Sequence, residues 1–544
     1  MKKMFKRKSW LVGSCLMISA TLVQPFAQEA KKPNILFIAV DDLKPELGCY
    51  GNTLVKSPNI DRLAKMGTVF YSNYCQQAVC GPTRASLMSG LRPDVTKIWD
   101  LRTKMRDVYP DILTLPQHLI AQGYTTSGVG KIYHPGCIDR KMDELSWSIP
   151  YIKPSASDYA NGLGEPVNKH YQSPEMKALF SKADVGGKGK NDNGDDEGNG
   201  PSGKKGTSTE CLDLPDNAYE DGVSALLGKQ EMIELYKKGK PFFMAVGYHK
   251  PHLPFVAPKK YWDLYNREDM PLAKFQEHSK DGPDIAYHNS NELRAYTDIP
   301  EFASFSDGNN HIGIKPEKQK QLIHGYYAAV SYMDAQVGIL LNTLDSLGIL
   351  KNTIIVLWGD HGWHLGDHDL WNKHTNFEQA TRSPLIIAAP GYKGGQTTKS
   401  ISEHVDIFPT ICNLAGVNIP TQLQGKSLVP LMKDKKASVK EYAISQYPRK
   451  LKKEEVQKLG YTDGKIMGYA LRTDKYRYIL WTNNNFTTKQ PFTENRIYTS
   501  ELYDYTKDPL ETVNVANDAK YASTVKDMKA KMLEYFKAQE GREK

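Results

Sequence analysis

Asn34-Ile35-Leu36-Phe37-Ile38-Ala39-Val40 runs straight into Asp41-Asp42. A short apolar run that stops on polar residues reads as a strand buried on both faces, although periodicity alone leaves a buried helix segment open. Residues 241–248 lead in the same way into His249, and residues 353–358 into Gly359-Asp360-His361; residues 384–389 form another such run. Helical patterns lie between them. The clearest spans residues 319–347, where Val330, Met333, Val337, Leu340, Leu341 and Leu344 line one face. Strands alternating with helices predict an α/β fold, a largely parallel sheet with helices on both faces. Ligand sites in such folds gather beyond the carboxyl ends of the strands. Asp41, Asp42, His249, Asp360 and His361 all fall at such ends.

Adjacent acids are commonest in solvated turns. Here an apolar strand feeds Asp41 and Asp42, and Asp360 supplies a further acid at another strand end. An oxygen-rich cluster of this kind suits a hard divalent cation.

Outward from this frame, Cys80-Gly81-Pro82-Thr83-Arg84-Ala85-Ser86-Leu87-Met88-Ser89-Gly90 places a thiol at the start of a short helix. Pro82 suits a first turn, where its missing N–H costs nothing. Arg84 lies one turn beyond Cys80 on the same face. Gly90 supplies the stop, and unpaired N–H groups at the helix start favour an anion beside Cys80. A lone cysteine in such a run is also compatible with an inert buried thiol.

The pattern changes beyond residues 432–436. Residues 469–472 and 476–481 read as a hairpin about Thr473-Asp474-Lys475. Residues 501–504 suggest another strand, and residues 522–539 a closing helix. Residues 184–207, rich in Gly, Asn, Asp and Lys, read as a mobile surface insertion.

The Cys-x-Pro-Thr-Arg run with its downstream glycine resembles the signature of type I sulfatases. Gly123-Tyr124-Thr125-Thr126-Ser127-Gly128-Val129-Gly130-Lys131-Ile132-Tyr133-His134 resembles the second signature of that family. Thr83 stands where Ser is commonest, and Ser89 where Thr is usual. Three stretches are similar to the iduronate-2-sulfatase branch. They are Gly247-Tyr248-His249-Lys250-Pro251-His252-Leu253-Pro254-Phe255, the run Gly359-Asp360-His361-Gly362-Trp363 with Leu365, Gly366, His368, Trp371 and Lys373, and Arg92-Pro93-Asp94.

This resemblance implies an alkaline-phosphatase-like catalytic domain over residues 28–435 and a smaller α+β subdomain over 436–544. It implies that a formylglycine-generating maturation enzyme converts Cys80 to Cα-formylglycine (3-oxoalanine), whose hydrate is the nucleophile. It also implies one divalent metal, usually Ca²⁺, at Asp41, Asp42, Asp360 and His361 together with residue 80. His361 replaces the commoner Asn, a less usual partner for a hard cation. Lys131 and Lys373 become sulfate clamps, and Arg84 orients the diol. His249 becomes the acid for the departing sugar oxygen, and His134 takes the proton that regenerates the aldehyde. His364, His368 and Trp371 are read as lining a sugar pocket, whereas Asp139 and Arg140 are read as structural. The implied substrate is a sulfated oligosaccharide or polysaccharide, with the 2-O-sulfate of an iduronate-type uronic acid in a glycosaminoglycan as the leading choice. Another carbohydrate sulfate, a phosphate or phosphonate ester, and a non-catalytic glycan-binding role stay open.

At 544 residues with 40% apolar side chains, the chain has material for two packed domains. The formal charge is +9, of which Lys2, Lys3, Lys6, Arg7 and Lys8 lie in the first few residues. The remaining excess fits attraction to anionic substrates. It is too diffuse for nucleic acid, for which no motif is present. Residues 1–27 read as a secretory signal peptide, with a basic start, an apolar stretch too short to span a membrane and a small residue, Ala27, at its end. Export to a periplasm, the medium or a cell surface follows. Val12-Gly13-Ser14-Cys15 only weakly resembles a lipoprotein box. The seven cysteines, Cys15, Cys49, Cys75, Cys80, Cys137, Cys211 and Cys412, show no disulfide framework or zinc spacing.

Overall fold

The structure is a computed structural model. It describes residue 1 and residues 32–160, 162–183, 206–303, 311–461, 463–483 and 492–539. The expected leader lies outside these residues apart from Met1, and the expected insertion lies outside them apart from Gly206 and Thr207. Pro33–Lys544 forms one compact unit.

All four apolar runs are strands of one sheet. In chain order its strands are β1 (Asn34–Val40), β2 (Thr68–Phe70), β3 (Thr125–Gly130), β4 (Phe242–Tyr248), β5 (Thr353–Gly359), β6 (Leu385–Ala388) and β7 (Gln396–Thr398). They lie side by side as β7-β2-β6-β5-β1-β4-β3. Every neighbouring pair is parallel except those made by β6, which is antiparallel to β5 and β2. Side chains alternate between the two faces, as the pleat requires. Leu36, Ile38 and Val40 join the core under helices α2 (Glu220–Lys237) and α3 (Pro316–Ser346). Ile35, Phe37 and Ala39 join the opposite core, under α1 (Cys80–Ser89) and α4 (Ile407–Ala415). Burial on both faces explains why β1 reads as a continuous apolar run.

Register decides where the site forms. Val40 pairs with both Tyr248 and Gly359. The three central strands therefore end level. The Asp41 N–H donates to the Tyr248 carbonyl at 3.1 Å, and the Asp360 N–H donates to the Val40 carbonyl at 3.1 Å. Gly130 pairs with Gly247, so Lys131 leaves the sheet at the same edge. A side chain on Gly247 is excluded, because its Cβ would lie 2.1 Å from the Lys131 carbonyl oxygen.

The C-terminal part is an antiparallel sheet of β8 (Ala443–Lys450), β9 (Lys465–Arg472), β10 (Tyr476–Thr482) and β11 (Ile497–Asp504), with helix α5 (Ala522–Gln539). The β9–β10 hairpin turns where expected, with the Thr473 N–H on the Tyr476 carbonyl at 2.8 Å. The β8 strand was not expected from the sequence. Helix α5 covers one face of this sheet through Met528, Met532 and Phe536. The other face, with Ile466, Ile479 and Trp481, packs on Leu370 and Phe377. That packing fixes the loop after β5. Arg477 donates to the Asn376 carbonyl at 2.6 Å, and the Asn376 amide donates to the Gly468 carbonyl at 2.9 Å. Cys49, Cys75, Cys80, Cys137, Cys211 and Cys412 are free thiols. Among the described residues no helix is long and apolar enough to cross a membrane.

Candidate active site

Helix α1 starts at Cys80 from an extended Val79 and ends at Gly90 in the left-handed region (φ 68°). All of its residues are buried. Gly81 is required for close approach, because a Cβ there would lie 2.5 Å from the Cys137 sulfur and 2.9 Å from the Asp100 carbonyl oxygen. The Cys80 Sγ lies 3.2 Å from Asp41 Oδ1 and 3.4 Å from His361 Nε2. Arg84 does not reach the thiol directly; the two meet at Asp41. The Arg84 guanidinium donates to Asp360 at 2.9 Å, to Asp41 at 3.4 Å and to the carbonyls of Lys131 and Ile132. It thus ties the ends of β1, β3 and β5 to helix α1.

Three wholly buried carboxylates, Asp41, Asp42 and Asp360, crowd this edge. Burial works to raise Asp41, but Lys131, His252 and Arg84 outweigh it and hold this carboxyl well below the usual range. Asp42 goes the other way. Burial raises it well above the usual range, Lys373 offsets only part of this, and Asp41 adds to it. Burial and the charge of Asp41 push Asp360 up to about 7. The chain therefore provides too little positive charge to keep all three ionised. Asp41, Cys80, Asp360 and His361 each offer a ligand atom within 4.8 Å of the others. The Asp42 carboxylate is 3.5 Å from the His361 ring. Oxygen donors with a charge deficit fit a divalent cation, and the oxygens favour a hard one.

Both predicted lysines reach this cluster. The Lys131 ammonium pairs with Asp41. Lys373, fully buried, donates to Asp42 at 3.1 Å and lies 5.0 Å over the Trp363 ring. His134 begins the turn Pro135–Cys137, its Nδ1 accepting the Gly136 N–H at 3.2 Å, and that turn packs against α1.

The two histidines after β4 stand against different acids. The Asp221 carboxylate accepts the N–H groups of His249 and Lys250, each at 2.8 Å. The His249 Nδ1 lies 3.8 Å from Glu220 and from Asp221. The turn then brings His252 in. Its Nε2 lies 3.8 Å from Asp42 and 3.3 Å from Glu292. Glu292, which the sequence did not single out, is also 3.4 Å from the Lys373 ammonium. His364, His368 and Trp371 are buried, with His364 on the Thr375 hydroxyl at 2.9 Å and His368 stacked on Phe377 at 4.3 Å. The cleft beside residue 80 is instead a hollow of about 220 Å³ walled by Val79, Trp99, Leu101, His288, Glu292, His374, Tyr447 and Arg449. Tyr447 and Arg449 come from β8, which explains why a scan of strand ends missed them.

Residues 33–417 match the sulfatase family, and residues 366–538 match the C-terminal region of N-sulphoglucosamine sulphohydrolase. The chain is 34% identical to a Homo sapiens protein named iduronate 2-sulfatase, over 89% of this chain and 91% of that one. Among solved structures it is similar to one in complex with D-glucosamine-2-N,6-O-disulfate (TM-score 0.67, 22% identity, 94% of this chain and 100% of that one). It is also similar to the phosphonate monoester hydrolase of Agrobacterium radiobacter (TM-score 0.65, 22% identity, 94% and 96%). These two share the fold. The family match over most of its length, joined to the human relative, shows that the chain belongs to the sulfatase family and is a sulfuric ester hydrolase.

Proposed function

We propose that this enzyme removes the 2-O-sulfate of an iduronate-type uronic acid in a glycosaminoglycan or a related sulfated polysaccharide, using a formylglycine made from Cys80. The observation that carries the substrate is the 34% identity to iduronate 2-sulfatase along nearly the whole of both chains.

Cys80 as a thiol is poorly suited to attack sulfur. Burial, with Asp41 beside it, pushes the thiol well above its usual range and keeps it protonated. Conversion by a formylglycine-generating partner enzyme would supply, through the aldehyde hydrate, a hydroxyl that attacks sulfur and a route to release sulfate that a simple ester lacks. Asp41, Asp42, Asp360 and His361 would hold a divalent cation, to which we assign Ca²⁺, and its charge would stabilise the sulfate oxygens. Lys131 and Lys373 place ammonium groups on either side of the same acids and are assigned to the sulfate. Arg84 holds the acids and residue 80 in register. His252 is assigned the proton for the departing sugar oxygen in place of His249, because it stands against Asp42 and Glu292. His134 is assigned the proton released at residue 80. Export follows from the basic and apolar leader over residues 1–27.

The test is sulfate release by the matured enzyme from defined disaccharides, read by ion chromatography. The expected substrate carries a 2-O-sulfated uronic acid. Turnover confined to 6-O- or 3-O-sulfated hexosamines, or to phosphonate esters, would overturn the proposal.

A further inference from the structure

The hollow beside residue 80 contains a cation that the reaction scheme above does not use. Arg449, on β8, lines it. The guanidinium donates to three main-chain carbonyls, those of Ile285 at 3.1 Å, His374 at 2.5 Å and Pro448 at 3.4 Å, and it lies 4.4 Å over the Tyr447 ring. Carbonyls orient a cation without neutralising it. Among the described residues no carboxylate pairs with Arg449. Arg84 and Arg92, the buried arginines near α1, are each held by acids.

The acids that share the hollow are already committed. Glu292 faces Lys373 and His252. The Asp100 carboxylate is turned onto its own loop, where it accepts from the N–H groups of Arg102 and Thr103 and from the Thr103 hydroxyl at 2.7–2.9 Å. His288 adds no charge. Burial, with His374 and Arg449 nearby, keeps it well below the usual histidine range, and its ring is bound to the Lys373 carbonyl and the Ser290 N–H. Arg449 is thus an oriented cation, with no carboxylate in ion-pair contact among the described residues, in a hollow sized for a single sugar residue. Tyr447 packs against Cys80, Val79 and Leu101, which brings this wall next to the reacting position.

We propose that Arg449 binds a second anionic group of the substrate, the carboxylate of a uronic acid whose sulfate sits at residue 80. This rests on the carbohydrate-sulfate reading above and adds the residue that would recognise the acid. A planar guanidinium fork matches a carboxylate with two parallel hydrogen bonds. Burial also draws Arg449 below the ordinary arginine range, Tyr447 and Glu501 offsetting only part of it, and a bound carboxylate would relieve this.

The experiment compares kcat/KM of matured wild type on a 2-O-sulfated uronic acid disaccharide and on the same disaccharide with its carboxyl reduced to an alcohol. Wild type is expected to favour the acid by about ten- to a hundredfold, the range for one charged hydrogen-bonded contact. Arg449→Gln is expected to erase most of that ratio, mainly through KM. Arg449→Lys, which keeps the charge but not the fork, should fall between. Binding of a methyl uronoside, set against the neutral methyl glycoside and followed by ligand-observed NMR on protein with Cys80 unconverted, gives the same comparison without turnover. No preference for the acid in wild type, or an equal loss on both substrates in Arg449→Gln, overturns the role of Arg449 while leaving the sulfatase reading intact. An effect that tracks a second sulfate and not the carboxylate also overturns it. Turnover of neutral sulfated sugars alone overturns both proposals.

Discussion

His252 Nε2 stands 3.3 Å from the Glu292 carboxylate, whereas His249, at the very end of β4, faces Glu220 and Asp221. The proton for the leaving oxygen should therefore come from His252. His252→Ala is expected to lower kcat/KM on a sugar sulfate by ~10²–10⁴-fold, the usual span for losing a positioned acid. On an aryl sulfate, whose phenolate leaves without a proton, the loss should be much smaller. His249→Ala should cost far less on the sugar. An equal loss on both substrates, or a larger effect of His249→Ala, would show that His252 is not the donor.

Glu292 supports two of the groups assigned to catalysis, and its own carboxylate is almost wholly buried. Removing its charge takes one of two named acids from the Lys373 ammonium, Asp42 staying at 3.1 Å, and breaking a buried pair costs roughly 3–5 kcal/mol. Glu292→Gln keeps the shape and removes the charge. It should lower the denaturant midpoint and move the pH profile of kcat. A variant that loses stability with an unshifted profile would assign Glu292 a purely structural role.

The acids at the strand ends tie stability to both pH and metal. Asp42 is raised well above its usual value and Asp360 to about 7. In the unfolded chain both ionise near pH 4. Between about pH 4 and 7 the folded metal-free protein therefore holds protons that the unfolded chain has lost, so its stability falls as pH rises through this window. A cation displaces those protons and stabilises the folded state by mass action. Adding Ca²⁺ to chelator-treated protein should thus raise the melting temperature more at pH 7 than at pH 5. A gain that is equal at the two pH values, or larger at pH 5, would contradict this assignment of the acids.

The strand ends were legible because burial on both faces makes β1, β4 and β5 continuous apolar runs, and a parallel sheet delivers their ends to one edge. Asp41, Asp42, Asp360 and His361 could be placed on that basis alone. The choice between His249 and His252 could not. Both follow the same strand, and the turn that separates them is set by Asp221 on α2, distant in sequence. Glu292 lies in a helix of four residues, Asn291–Arg294, too short for a periodicity to mark it. Arg449 and Tyr447 sit on a strand of the smaller sheet, and only the docking of that sheet through Phe377 and Asn376 brings them to residue 80. His364, His368 and Trp371 are close to Lys373 in sequence, but His368 stacks on Phe377 and Trp371 joins the core under α2 and α3.

Arg84 shows how far charge alone can stand in for geometry. Its guanidinium spans Asp360, Asp41 and two carbonyls of the β3 loop, and lies 5.5 Å over the Trp358 ring. An ammonium at the end of a lysine cannot make these contacts together. Arg84→Lys should fold with a lowered denaturant midpoint and a severe loss of turnover. Arg84→Met, which leaves Asp41 and Asp360 without this cation, should be destabilised further, by about 3–5 kcal/mol relative to wild type. Equal midpoints for the two variants would mean that the charge of Arg84 contributes little to the fold.

The last prediction concerns Cys80 itself. Its thiol is buried, 3.2 Å from Asp41, and held well above the usual thiol range by that burial and that charge. The site thus suppresses the thiolate that a cysteine nucleophile needs, while it crowds lysines and a charge-deficient acid cluster around the same atom. These features accord with the proposed conversion of residue 80 to formylglycine. Peptide mapping of protein from its native host should find the Cys80 peptide about 18 Da lighter than its sequence mass, as replacement of CH₂–SH by CHO requires, and resistant to alkylation. In preparations of mixed maturation, sulfate release should scale with the converted fraction, and Cys80→Ala should be inactive at an unchanged denaturant midpoint. Full activity from protein that retains the thiol would sink the formylglycine assignment and leave the acid cluster and lysines to be explained by a different nucleophile.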